Sequence, residues 1–342
     1  DTIVAGGGAD QIYGDSGFAI DPVGRILAVP TRPTGLLKDR DPLTVGDDSI
    51  QGGTGNDVIF GDHGIIAQSS PTTRLLSTDP ASTTLIASDV VESGGDDSLS
   101  GGDGNDIIFG GANRPRGVGD RIDGGSGDNL LFGDDGQITL AAGQIARLQS
   151  IDATDGGNDA IAVGQGPNRI LGGAGDDLIQ AGDGADILLG DSGLIDYGLD
   201  LNLNTIDSVA TSAPSVGGND TILAGNGADL ILGGSGDDAV IVGDGRDVVL
   251  GDLGVVTYAL GVFQQVKTTD PTVGGADGIV GGNGGDLLIG GPGRDTIAGG
   301  GGADAIVGDL GAAGFASGVL TSVATTDPAS GDADLLDGGP GN

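Results

Sequence analysis

Residues 281–307 read Gly281-Gly282-Asn283-Gly284-Gly285-Asp286-Leu287-Leu288-Ile289, then Gly290-Gly291-Pro292-Gly293-Arg294-Asp295-Thr296-Ile297-Ala298, then Gly299-Gly300-Gly301-Gly302-Ala303-Asp304-Ala305-Ile306-Val307. The three lines are one sentence of nine residues, G-G-x-G-x-D-x-U-x with U aliphatic. Outward from this stretch the same period continues. Asp277 precedes it in phase; Asp220, Asp229, Asp238 and Asp247 form a second run, and Asp159, Asn168, Asp177 and Asp186 a third. Self-similarity at a fixed short period decides the architecture before any local propensity does. Across the chain 19 turns carry Asp at position six and two carry Asn, at Asn129 and Asn168. Position eight of all 21 is Ile, Leu or Val.

The composition follows from the repeat. Of 342 residues 74 are Gly, and 50 acids face 13 bases for a net charge of −37. Only one of the acids, Glu92, is Glu. Such a charge argues against nucleic acid or an anionic membrane surface as partner. No run approaches 18 apolar residues, so no membrane insertion is expected. The absence of Cys removes disulfides, zinc-thiolate sites and thiol catalysis.

The nonapeptide resembles the RTX (repeats-in-toxin) calcium-binding repeat, the hemolysin-type family, whose repeats build a parallel β-roll that binds Ca²⁺. The resemblance implies an all-β, right-handed parallel β-roll or β-helix solenoid. Positions one to six make a turn, where Gly supplies positive φ, and positions seven to nine a short strand. The aliphatic at eight enters a thin core between two sheets, too thin to take rings easily. Two repeats close a coil, so turns 18 residues apart stack. The expected stacked pairs are Asp159 with Asp177, Asp220 with Asp238, Asp229 with Asp247, Asp277 with Asp295 and Asp286 with Asp304. Asn168 opposite Asp186 and Asn129 opposite Asp106 are expected to be weaker sites.

Carboxylates from two stacked turns plus Gly-rich carbonyls make a hard, flexible oxygen shell suited to Ca²⁺. The candidate ligands are Asp1, Asp10, Asp48, Asp57, Asp97, Asp106, Asp120, Asp159, Asp177, Asp186, Asp220, Asp229, Asp238, Asp247, Asp277, Asp286, Asp295, Asp304 and Asp334. Metal-free, the Asp-Gly turns would hold their carboxylates about one strand spacing apart, a costly repulsion.

Nonapeptide blocks are expected at 1–17, 46–64, 94–136, 156–193, 217–254, 274–311 and 331–342. Six blocks close with G-D-x-G, and the Asp of each closer (Asp15, Asp62, Asp134, Asp191, Asp252, Asp309) is a candidate capping ligand. Asp191, one coil beyond Asp177, would end its edge as a last ligand. Inserts of 18–45, 65–93, 137–155, 194–216, 255–273 and 312–330 follow the closers. The one at 255–267 reads as a β-hairpin around Leu260-Gly261, with similar strands at 137–151 and 194–209. Thr-Asp-Pro turns recur at Asp79-Pro80, Asp270-Pro271 and Asp327-Pro328. The inserts, which hold most of the bases, read first as extra sheet edges that wrap the roll and second as lateral contacts. A five-residue interruption falls within 112–119.

Joined end to end, Gly338-Gly339-Pro340-Gly341-Asn342 and Asp1-Thr2-Ile3-Val4 spell one repeat, which suggests a window of a longer array or head-to-tail abutment. At 18 residues per coil the rod would be about 60–90 Å long.

No catalytic constellation is present. His63 has no second His for a zinc site, and no Gly-x-Ser-x-Gly elbow accompanies it. Paired carboxylates recur identically along the array, unlike the single distinctive pair of a glycosidase. An ice-binding face would need one Thr row, and position three instead runs Thr54, Asp103, Ala174, Asp183, Asn226, Ser235. The favoured reading is an extracellular or cell-surface calcium-binding rod or fibre with head-to-tail or lateral self-association. The alternative is an RTX carrier or secretion segment of a larger exported enzyme or toxin. Type I secretion is what the resemblance implies for either.

Overall fold

The computed structural model describes residues 2–15, 17–20, 26–28, 46–68, 82–88, 94–113, 118–154, 156–199, 202–327 and 331–341. Among them there is no helix; every regular element is a strand. Each nonapeptide folds as its pattern dictates. At Gly173 and Gly175, positions two and four of one turn, φ is 122° and 117°, a region in which a side chain would be strained. The three residues that follow the turn extend as a strand, as at Leu178–Gln180.

Successive strands alternate between two parallel sheets. The first sheet has eleven strands, running from Thr2–Gly7 through Ser49–Thr54 and Ala160–Ala162 to Leu335–Asp337. The second has ten, from Gln11–Tyr13 through Val58–Phe60 and Arg169–Gly173 to Ala305–Val307. Position eight stacks on position eight, Ile161 on Ile179 and Ile170 on Leu188. These aliphatics from both sheets meet in an inner core that contains no aromatic ring. The parallel β-roll is therefore the fold.

The stack is unbroken where the sequence is broken. Leu178 pairs with Thr221 across one insert and Ala239 with Gly278 across another, in the same register as the uninterrupted pair Ala160 and Leu178. The solenoid passes over the inserts as though they were absent. Their strands form a third, largely antiparallel sheet of twelve strands. Gly254–Ala259 and Val262–Thr268 make the expected hairpin, and each insert then pairs with the next, Gln149 with Leu194, Ser208 with Thr257 and Gln265 with Gly314.

The third sheet covers the second. Positions seven and nine of the second sheet point away from the inner core, and Leu189, Leu232, Leu250 and Ile289 there meet Ile138, Leu148, Ile195, Val209, Val256 and Val266 of the inserts in an outer core. Rings, which the thin inner core lacks, find their place here. Tyr13, Phe60, Phe109 and Phe132 all stand at position nine and stack with centroids 4.8–5.1 Å apart, one ring per strand. Among the described residues the outer face of the first sheet has no such cover, and Leu178, Ile241 and Val280 are exposed there.

One expectation is corrected. Eleven strands at about 4.8 Å spacing make a stack of about 50 Å rather than 60–90 Å, because the inserts add width and no length. Thr2–Gly7 and Leu335–Asp337 both lie in the first sheet, at its opposite ends. Asp79-Pro80, most of 18–45, Pro328 and the centre of the 112–119 interruption lie outside the described residues.

Candidate metal centres

Because strands alternate between sheets, the Asp turns fall on two edges. One edge leads into the first sheet and carries Asp48, Asp97, Asp120, Asp159, Asp177, Asp220, Asp238, Asp277, Asp295 and Asp334. The other leads into the second sheet and carries Asp10, Asp57, Asp106, Asn129, Asn168, Asp186, Asp229, Asp247, Asp286 and Asp304. Asp1 lies outside the described residues. All six closers and the 112–119 interruption fall on the first of these, the insert edge; the plain edge is never interrupted.

Along each edge the position-six residues form a ladder. The backbone N–H of each donates to the carboxylate or amide Oδ1 of the next. On the insert edge the bonds run without a gap from Asp48 to Asp334 at 2.7–3.1 Å. The plain edge runs likewise from Asp10 to Asp304. Every pair expected at 18 residues is adjacent. So are pairs at 39, 43 and 49 residues, such as Asp120 with Asp159, Asp177 with Asp220 and Asp48 with Asp97, which the period of nine conceals.

Oδ1 is thus committed to the backbone, and Oδ2 is not. Oδ2 of Asp57, Asp97, Asp106, Asp120, Asp159, Asp177, Asp186, Asp220, Asp229, Asp238, Asp247, Asp277, Asp286 and Asp295 is buried with no hydrogen-bond partner. The side chains are 0–3% exposed. Unpartnered buried oxygens in such number need a counter-charge. Where a turn begins with Gly, as every insert-edge turn does, they converge there with backbone oxygen. A Cβ on Gly172 would stand 2.5 Å from Asp177 Oδ2 and 2.1 Å from the Gly190 carbonyl; one on Gly233 would stand 2.4 Å from Asp238 Oδ2 and 2.0 Å from the Gly251 carbonyl. The missing side chain leaves a space walled by oxygen.

Burial, followed by neighbouring carboxylates, pushes these acids far above the usual range. Asp106 and Asp247 on the plain edge rise to about 6 and Asp229 to about 7. On the insert edge Asp97 and Asp295 rise to about 7, Asp220 and Asp277 to about 8 and Asp238 to about 10. Asp120, Asp159 and Asp177 are likewise raised by burial. Without a cation, burial shifts these acids toward the protonated form.

The closers bridge the base of each insert. Asp62 Oδ1 accepts the Gly95 N–H at 3.0 Å, Asp134 that of Gly157, Asp191 that of Gly218, Asp252 that of Gly275 and Asp309 that of Asp332; Asp15 accepts from Gly46 through Oδ2. The expectation that Asp191 ends its edge does not hold, because Asp177 and Asp220 continue the ladder past it. The closers also differ among themselves. Oδ2 of Asp62 and Asp252 is unpartnered. Asp134 and Asp191 spend theirs on Ala174 N–H and on Ser235 N–H and Oγ.

The donor set fits calcium. It is all oxygen, mixes carboxylate with carbonyl, and lacks nitrogen or sulfur, as a hard, flexible cation of high coordination number requires. Among the described residues no three His, Cys, Asp or Glu side chains converge on one point. Two carboxylates per gap must therefore be completed by carbonyls.

The one-sided placement of the inserts has its own signal in the sequence. Between successive closers there is always an even number of strand triplets, two from Asp15 to Asp62 and four thereafter, so each insert must return to the same edge.

No curated protein matches the chain. The RTX calcium-binding nonapeptide repeat (four copies) matches residues 1–18, 44–64, 93–114, 119–137, 163–193, 215–249 and 280–312, just over half of the chain. With the twin carboxylate ladders and the parallel roll in place, this match means that the chain belongs to the RTX calcium-binding nonapeptide family, whose repeats are structural rather than catalytic elements and bind several Ca²⁺ ions per array.

Proposed function

We propose that the chain is an extracellular calcium-hardened rod, part of a surface protein, adhesin, surface layer or filament. The observation that carries this reading is the pair of unbroken ladders with unpartnered Oδ2 atoms, from Asp97 to Asp295 on the insert edge and, apart from the two Asn turns, from Asp57 to Asp286 on the plain edge. The proposed ligands are the position-six Asp residues of both edges, with Asp62 and Asp252 as additional ones. The proposed units are the nonapeptide blocks, and the inserts serve as a covering sheet. Calcium supplies the charge that lets buried carboxylates remain ionised at neutral pH.

The chain's own residues do the rest. Oδ1 of each rung holds the next turn in register, Oδ2 and the turn carbonyls hold the cation, and the position-eight aliphatics seal the coil beneath. Each added coil completes a site and a strip of core together, so folding and binding are one equilibrium. In a calcium-poor cytosol the acidic chain stays open and exportable, and millimolar external calcium closes it.

The test is a calcium titration of chelated protein followed by far-UV circular dichroism, with magnesium as control. A cooperative coil-to-β transition at roughly 0.1–1 mM calcium, absent with magnesium, is expected. A chain already β-rich in excess chelator at neutral pH sinks the reading. Electron microscopy of the loaded sample then separates a fibre from a carrier segment of a larger exported protein, since only the fibre forms filaments.

A further inference from the structure

The plain edge contains two turns in which position six is Asn, and they are neighbours: the Asn129 N–H donates to Asn168 Oδ1 at 3.1 Å. Both amides are 0% exposed. Each keeps the rung bond of the ladder, since Asn129 Oδ1 accepts the Asp106 N–H at 2.9 Å. The oxygen is fixed by that backbone donor, so the amide nitrogen must occupy the place that Oδ2 holds in an Asp turn. There Asn168 Nδ2 donates to the Gly166 carbonyl at 2.7 Å and lies 3.5 Å from the Gly164 carbonyl and 3.1 Å from Asp186 Oδ1. Asn129 Nδ2 lies 3.4 Å from the Gly127 carbonyl. Here the backbone oxygens of the turn, Gly166 and Gly127, face an N–H donor.

The lining changes as well. A Cβ on Gly52 or Gly101 would meet Oδ2 of Asp57 or Asp106 and the Gly101 or Gly124 carbonyl. On Gly124 it would meet Val163 Cγ1, Asn129 Nδ2 and Leu131 Cδ1, with no oxygen among the three nearest atoms. Neither turn brings a carboxylate, and an N–H donor does not ligate a cation.

Resting on the calcium reading above, we propose that the gap between Asn129 and Asn168 holds no calcium and that the two side-chain amides stand in for it. This metal-free plug divides the plain-edge column into a short run over Asp10, Asp57 and Asp106 and a longer one from Asp186 to Asp304. The insert edge, with Asp in every described turn, has no such break. In a solenoid where each coil senses only its neighbours, the two plain-edge runs bind independently of one another.

The test compares the wild-type chain with the double variant Asn129→Asp/Asn168→Asp. Bound calcium is counted by equilibrium dialysis and atomic absorption, and calcium-loaded crystals are examined for anomalous density. The double variant is expected to bind at least one more ion per chain, and the wild-type plain-edge column to be interrupted at the Asn129–Asn168 gap. Density in that wild-type gap, or equal counts from a folded variant, overturns the plug while leaving the calcium reading intact. A wild-type chain that binds no calcium overturns both. If the variant does not fold, the wild-type density decides alone.

Discussion

The two edges of the roll are built from the same nonapeptide and have diverged. On the insert edge the first residue of every turn is Gly, from Gly14, Gly61 and Gly110 through Gly172 and Gly233 to Gly308, and every described position six is Asp. On the plain edge the first residue is Ala5, Val163, Ala181, Ala224 or Val242 in half of the turns, and two position-six residues are Asn. The edge that carries the inserts admits no side chain in its oxygen-lined space. The edge that carries none tolerates methyl groups and amides. Burial differs in the same sense, raising Asp97, Asp220 and Asp238 on the insert edge to about 7, about 8 and about 10 and Asp106, Asp247 and Asp229 on the plain edge to about 6, about 6 and about 7. Each insert opens its turn by some twenty residues, and closing that loop costs entropy. The side that must be held shut is the side with the stricter lining.

The largest effect expected is loss of the whole fold on chelation at neutral pH, and acid should reverse it. Each of these acids has a folded value raised above the unfolded value near 3.9. The folded state therefore binds more protons. The stability this lends the metal-free roll is fully present below about pH 4 and is lost as pH rises through about 6–8. In chelator, circular dichroism should show β structure near pH 4 that disappears by pH 8, and calcium should restore it at pH 8. A chelated chain equally folded at both pH values would remove the electrostatic basis of the comparison.

Next in size are the two cores. Phe109, 1% exposed within the ring stack, links the second sheet to its insert cover, and Phe109→Ala should cost about 3–5 kcal/mol in calcium-loaded denaturation. Ile231→Ala in the inner core, 0% exposed, should cost about 2–5 kcal/mol.

The edges themselves are compared by Gly233→Ala and Gly281→Ala. On the insert edge the new methyl would stand 2.0 Å from the Gly251 carbonyl and 2.4 Å from Asp238 Oδ2. It should cost about 1–3 kcal/mol and lower the number of bound ions. On the plain edge the nearest atoms are at 2.6 and 3.0 Å, and turns there already carry Ala, so under about 1 kcal/mol is expected. Equal losses in calcium stoichiometry would contradict a stricter insert edge.

The smallest effect lies on the insert sheet. Arg147, half exposed, pairs with the buried Asp196 on the next hairpin, and Arg147→Ala should cost about 1 kcal/mol and leave calcium binding unchanged.

Much of this was legible locally. The nine-residue period fixed the turn and strand, position eight fixed the inner core, and Asp pairs 18 residues apart fixed the rungs within each block, because all three follow from geometry inside one or two repeats. The Leu260-Gly261 hairpin was legible for the same reason. The rungs across inserts were not, since Asp177 and Asp220, 43 residues apart, are brought together only when the coil closes over the 194–216 insert. Nor was the place of the rings, because position nine of the second sheet is buried only by strands contributed from every insert at once. The sequence by itself determined a calcium-type oxygen ladder and a parallel roll. The tertiary structure alone decided that the inserts would join into one covering sheet and that Asn129 and Asn168 would become neighbours across an insert, because pairing between distant coils is set by the accumulated half-turns of the solenoid and by no local rule.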